Sequence, residues 1–159
     1  MRRKQVSSTR YGEYRSGLEF RIANQLDGQG VEFEYEQRKV WFIQPAKLSH
    51  YTPDFILPNG VIVEGKGRFL TDDRQKHKHI RALHSALDVR FVFSRSAAPI
   101  NKGSKTTYAM WCEKYGFQYA DKLVPQTWLD EPICPDRWLA IAAAQDKLQV
   151  EKLLPNGKT

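Results

Sequence analysis

The chain is poor in cysteine: Cys112 and Cys134 are the only two among 159 residues. Two thiols cannot build a disulfide scaffold or a zinc ligand set, and they suit a reducing cytosol. No apolar run approaches the ~18 residues of a membrane span, so no membrane partner is expected. The N-terminus, MRRKQVSSTR, is basic but has no apolar stretch behind it and does not read as a secretory signal. There is no glycine-rich loop of Walker type, because Lys66 between Gly65 and Gly67 lacks the required spacing. No nucleophilic serine or cysteine motif occurs. His77 and His79, two residues apart on a helix, point in different directions and are expected at the surface. Internal repeats and low-complexity tracts are also missing.

Positive charge, by contrast, is plentiful. Lys and Arg number 25 against 18 Asp and Glu, a formal +7, and the pI is near 9.5. Such an excess favours a polyanionic partner, usually nucleic acid. Hydrophobic residues make up 41% and charged residues 27%, the balance of a folded globular protein. The charge comes in blocks. Arg2, Arg3, Lys4, Arg10 and Arg15 face Glu13 alone in residues 1–15. A second block holds Lys66, Arg68, Arg74, Lys76, Lys78 and Arg81 against Asp72 and Asp73. Lys102 and Lys105 form a third in PINKGSK. Any one block reads equally well as solvated surface; three flanking one candidate site are less easily dismissed.

Residues 1–15 read as a flexible basic arm, 16–131 as the main domain and 132–159 as a helical extension. Ser16 with Glu19 three residues on is a capping box, and Leu18, Ile22 and Leu26 share a face, so a helix is predicted up to Gly28 or Gly30. Strands are predicted at Val31–Glu36, Val40–Ala46, Val89–Ser94 and Phe117–Tyr119, with a hairpin from Asp54 to Lys66. A helix capped by Thr71 has acids in its first turn and a basic exposed face, and another runs through Met110 to Tyr115. This order predicts an α/β (α+β) fold, a mixed β-sheet flanked by helices. In the extension, PDRWLAIAAAQDKLQVEKLL reads as one Ala-rich helix with Trp138, Ile141 and Leu148 roughly on one face. Packing on the domain is the expected role, with contact to nucleic acid or another protein as the alternative.

The hairpin TPDFILPNGVIVEGKG carries three charges in an apolar setting: Asp54, Glu64 and Lys66. They either line a solvated face or converge on an ion. Register decides. A two-residue Asn59-Gly60 turn pairs residues summing to 119 and sends Asp54 and Glu64 to opposite faces. A three-residue Pro58-Asn59-Gly60 loop makes the sum 118 and opposes them, with Ile56, Ile62 and Lys66 on the same face. Pro58, Asn59 and Gly60 suit the second arrangement, Gly60 at the left-handed closing position. Phe55, Leu57, Val61 and Val63 then form the other, apolar face. Two carboxylates facing across strands repel unless a cation lies between them. Hard oxygen donors without histidine or thiolate suit Mg2+. A lysine beside such an ion can orient or deprotonate an attacking water and offset charge on phosphorus, so the indicated reaction is phosphodiester hydrolysis.

A PD followed by E-x-K is a weak signature by itself. In strand–turn–strand context it joins RSGLE (Arg15 to Glu19), FEYE (Phe33 to Glu36), YTPDF, LPNG, VEGKG, DDRQKH, FVFS, CEKYG and ADKL.P..W, in order from about residue 15 to 131. On these stretches the chain resembles the phage endonuclease I family, Holliday-junction-resolving enzymes of podoviruses within the PD-(D/E)XK nuclease superfamily. The resemblance implies a restriction-endonuclease-like core with Asp54 and Glu64 as metal ligands, the Gly65 carbonyl as a possible third, and Lys66 serving the water. It implies that Glu19 reaches a second metal ion, whereas the residues alone read Glu19 as the N3 acid of a capping box. It implies two Mg2+ per site with Mn2+ as substitute, branched DNA as substrate, and the cytoplasm of an infected bacterium as location. It also implies a domain-swapped homodimer whose subunits exchange their first strands near Gln44-Pro45-Ala46.

One departure stands out: Gly65 occupies a strand position where a β-branched residue is expected, which loosens the placement of Lys66. Two function classes follow. One is a metal-dependent, structure-selective endodeoxyribonuclease, with a mismatch- or site-directed nuclease as its variant. The other is a non-catalytic DNA-binding module on a nuclease fold. The complete Asp54–Glu64–Lys66 set favours the enzyme, because a binder gains nothing from opposed carboxylates.

Overall fold

A computed structural model of the chain describes residues 12–44 and 47–155. Arg2, Arg3, Lys4 and Arg10 of the basic arm lie outside the described residues, as do Pro45 and Ala46 of the expected exchange point. The elements run α1 (Gly17–Gly28), β1 (Glu34–Tyr35), β2 (Val40–Gln44), β3 (Lys47–Tyr51), β4 (Phe55–Ile56) and β5 (Ile62–Lys66). Then come α2 (Thr71–Leu83), β6 (Val89–Phe93), α3 (Tyr108–Tyr115), β7 (Tyr119–Asp121), α4 (Gln126–Leu129), α5 (Pro135–Ala144) and α6 (Lys147–Glu151).

The expected mixed sheet forms, in the order β1-β4-β5-β6-β7. Its first two pairings are antiparallel and its last two parallel, each parallel step crossing over through α2 or α3. Period-two alternation splits the strand residues between two cores, as a sheet covered on both faces requires. Phe55, Leu57, Val61, Val63 and Val92 pack under Leu18, Ile22 and Leu26 of α1. Ile56, Ile62, Phe91 and Phe93 pack on the other side against Phe42, Ile80, Trp111 and Cys112.

Several expectations are corrected. Lys47–Tyr51 is a strand that the polar KLSHY composition conceals; pairing with β2, from Val40↔Tyr51 to Gln44↔Lys47, makes it one. The two form a ribbon apart from the main sheet. Thr71 is not the cap of α2: Leu70 is, without a side-chain bond, and Thr71 Oγ1 instead accepts from Arg74 Nη2 at 3.0 Å. His77 is not at the surface. It lies 1% exposed, on the α2 face that also buries Arg74 and Ile80, edge-on to Tyr51 and Phe91. Phe117 belongs to no strand: its N–H closes α3 on the Cys112 carbonyl at 2.8 Å and its ring stacks on Trp111. β7 therefore starts two residues later. The Ala-rich helix is two helices, because Asp146 caps α6 through the Gln149 N–H at 3.1 Å. Ile141 and Ala144 join the core beside Val40 and Phe42, while Leu148 stays exposed.

Candidate active site

The hairpin turns in three residues. Phe55↔Val63 and Ile56↔Ile62 are paired, the register that sums to 118. The Leu57 N–H donates to the Val61 carbonyl at 2.9 Å, and the Gly60 N–H donates to the Leu57 carbonyl at 2.9 Å. Gly60 has φ +84°, and a Cβ there would sit 2.6 Å from Arg137 Cβ, so only glycine fits. Asn59 fixes the tip: Oδ1 accepts from the Val61 N–H at 3.1 Å, and Nδ2 donates to the Trp128 carbonyl at 2.8 Å. Trp138 Nε1–H closes it from α5 onto the Pro58 carbonyl at 2.9 Å.

At the open end, the two strands hold each other's carboxylates. The Asp54 N–H donates to Glu64 Oε1 at 3.3 Å, and the Gly65 N–H donates to Asp54 Oδ2 at 2.9 Å. Lys66 Nζ lies 4.0 Å from Glu64 Oε2 and 3.3 Å from Asp73 Oδ1. Burial pushes the Asp54 carboxyl up to about 9, with the Glu64 and then the Glu19 charge adding to it. Burial likewise raises Glu64, against the pull of Lys66 and Lys76. Burial works against the Lys66 charge, but Glu64, Asp73 and Asp54 outweigh it and hold the ammonium above its ordinary range. Two buried carboxyls that both resist ionisation favour a further positive charge between them.

Glu19 arrives from α1. Carboxylate oxygens of Glu19, Glu36 and Asp54 lie within 4.8 Å of one another. Glu36 was not singled out by composition or spacing. Its backbone is left-handed, φ +47°, and its N–H donates to the Asp54 carbonyl at 3.0 Å. The sequence signal for it was its place at the end of FEYE. Asp54 thus belongs to the grouping with Glu19 and Glu36 and is also bonded to the strand of Glu64 and Gly65. Gly65 has a purpose in this packing. A Cβ would come 3.3 Å from Ile22 Cδ1 and 3.6 Å from Glu19 Cγ, so the glycine lets the helix that carries Glu19 come close.

The basic residues divide. Arg68, Lys102 and Lys105 are exposed. Arg15 is exposed too, with Nε 2.9 Å from Glu36 Oε1. Lys76 is half-buried, 3.6 Å from Asp73 and above the Tyr51 ring. Arg74 leaves the surface set: it is 5% exposed, and Nη1 donates to the Phe69 and Ile100 carbonyls.

Comparison with known proteins matches residues 1–148 to the family model of phage endonuclease I. The chain belongs to the phage endonuclease I family. Endonuclease I of Escherichia phage T7 is 51% identical over 121 residues, covering 76% of this chain and 81% of that protein. Endodeoxyribonuclease 1 of Enterobacteria phage T3 is 47% identical over 119 residues, covering 75% and 78%. The family match extends past residue 131 into α5, beyond the stretch that the sequence motifs reach.

Proposed function

We propose that this phage endonuclease I family member is a structure-selective endodeoxyribonuclease that resolves four-way DNA junctions with a divalent cation, acting in the cytoplasm of the infected bacterium. The observation that carries the reading is the register: Asp54 opposed to Glu64, each bonded to the other's strand, with Lys66 on the same face. The donor set is oxygen only, and the raised Asp54 and Glu64 carboxyls call for a positive charge between them. Asp54, Glu64 and the Gly65 carbonyl would hold one Mg2+, and Glu19, Glu36 and Asp54 a second, with Mn2+ able to substitute. Bound there, the cations supply Lewis acidity toward the scissile phosphate. Lys66, kept as an ammonium, orients the attacking water through Nζ and offsets charge on the phosphate oxygens. The water oxygen bonds to phosphorus as the bond from phosphorus to the leaving sugar oxygen breaks; the water gives up a proton to solvent and the sugar oxygen takes one from it.

Arg2, Arg3, Lys4, Arg10, Arg15, Arg68, Lys76, Lys102 and Lys105 are proposed to neutralise phosphates, a sequence-independent grip suited to a substrate recognised by shape. The enzyme is proposed to act as a homodimer with exchanged strands. β2 and β3 pair residue for residue and connect only through residues 45–46, so opening that link lets the same pairing form between two chains. The test is incubation with a four-way junction and Mg2+, with a linear duplex as control. Paired cuts in opposed junction strands, with the duplex intact, are expected. Junction binding without cleavage would make the protein a non-catalytic module, and equal cutting of the duplex would make it a nuclease without structural selectivity.

A further inference from the structure

Glu19 is held by more than its helix needs. Ser16 Oγ accepts from the Glu19 N–H at 3.2 Å, which caps α1. The same hydroxyl donates to Glu19 Oε1 at 3.1 Å, and the Arg15 N–H donates to Oε2 at 3.3 Å. Those contacts resemble a capping box, with the N–H of Arg15, one residue before the cap, in place of the Ser16 N–H. A further donor has no part in capping: the Tyr35 hydroxyl, sixteen residues away on β1, donates to Oε2 at 2.5 Å.

Tyr35 is itself firmly placed. It pairs with Phe55, the residue after Asp54, across β1 and β4. Its ring meets Tyr14 edge-on at 4.6 Å and leans on Phe55 at 5.2 Å. Its oxygen also accepts from the Arg15 N–H at 3.3 Å. A phenol is protonated at neutral pH, so the hydroxyl is a donor to the carboxylate. Oε2 thus accepts two bonds and Oε1 one. A carboxylate has about four acceptor positions, so the spare capacity lies on Oε1.

The structure assigns Tyr35 as a positioning residue that ties Glu19 to the strand beside Asp54 and turns the carboxylate so that Oε1 is the oxygen open to a cation. The assignment rests on the reading of Glu19 as a cation-site residue. Hydrogen bonds of this kind fix the orientation of a ligating carboxylate, and their loss weakens metal binding without altering the ligand itself.

Tyr35→Phe deletes only the hydroxyl and keeps the ring contacts. Calorimetric titration of Mn2+ into the DNA-free protein, beside junction cleavage, is the test. Tyr35→Phe is expected to lose about tenfold in Mn2+ affinity and in cleavage rate, with metal-free junction affinity and Tm near wild type. In a Glu19→Gln background, Tyr35→Phe should cause no further loss. Wild-type Mn2+ affinity and cleavage in Tyr35→Phe, with both lost in Glu19→Gln, would overturn the assignment and leave the Glu19 reading standing. So would additive losses in the double variant, since the hydroxyl would then act elsewhere. Wild-type behaviour of Glu19→Gln would remove Glu19 from the site, and the positioning role with it.

Discussion

Asp54 shows how much of a site one residue can carry. Its carboxylate takes the Gly65 N–H, its own N–H goes to Glu64, and its carbonyl takes the Glu36 N–H, so three segments are registered on it. Its carboxyl is pushed up to about 9 in the folded protein, so between the ordinary carboxylate range and pH 9 the folded state holds a proton that the unfolded chain releases. Unfolding is then favoured as pH rises. The cation-free protein should lose stability across that window, each kcal/mol lowering Tm by about 2–4 °C for a chain of this length. Asp54→Asn should flatten the slope, and Mg2+ should reverse it in the wild type. Thermal melts at stepped pH, with chelator and with Mg2+, check this; an Asp54→Asn slope as steep as wild type would exclude Asp54 as its source. At this scale the sequence was legible where period-two alternation and turn chemistry rule, which covers Asp54, Glu64 and Lys66. Glu36 and Tyr35 were not, because a left-handed backbone and a contact between α1 and β1 leave no local pattern.

Among the elements, α2 separates charge left at the surface from charge that builds the fold. Its sequence reads as a basic exposed helix, yet Arg74 and His77 form its buried face with Ile80. Periodicity could not reveal this, because the inward positions are polar by composition and become interior only when Phe69, Ile100 and Phe91 close over them. Arg74→Ala should strand the Phe69 and Ile100 carbonyls and cost roughly 2–3 kcal/mol of stability, with the salt dependence of junction binding unchanged. Arg68→Ala should do the opposite: no change in Tm, and a log–log salt slope shallower by about one. Denaturant unfolding and salt-titrated binding distinguish the pair, and a flattened slope in Arg74→Ala would return it to the DNA face. α5 was legible as a helix that packs on the domain, but the surface it covers was not, because the ribbon holding Val40 and Phe42 is itself half hidden in KLSHY.

For the whole molecule, composition predicted a basic globular protein and the order of elements predicted a mixed sheet between helices; both hold. Assembly is where a single chain says least, because a ribbon that closes on itself and one that closes on a partner use the same pairs. The proposed function nonetheless depends on it. A four-way junction yields two duplexes only if two opposed strands are cut, so a twofold dimer with one hairpin per cut is the economical enzyme. In the proposed mechanism, losing Nζ of Lys66 should remove stabilisation of the transition state and leave ground-state binding intact. The most direct measurement uses a supercoiled cruciform plasmid cut by wild-type, Lys66→Ala and mixed dimers, with binding followed in Ca2+. Wild type should linearise the plasmid. The Lys66→Ala dimer should bind with wild-type affinity and cleave slower by about a hundred- to a thousand-fold. The mixed dimer should stop at the nicked circle. A Lys66→Ala dimer that cuts at the wild-type rate, or a mixed dimer that linearises as wild type does, would contradict a hydrolytic centre built on each hairpin.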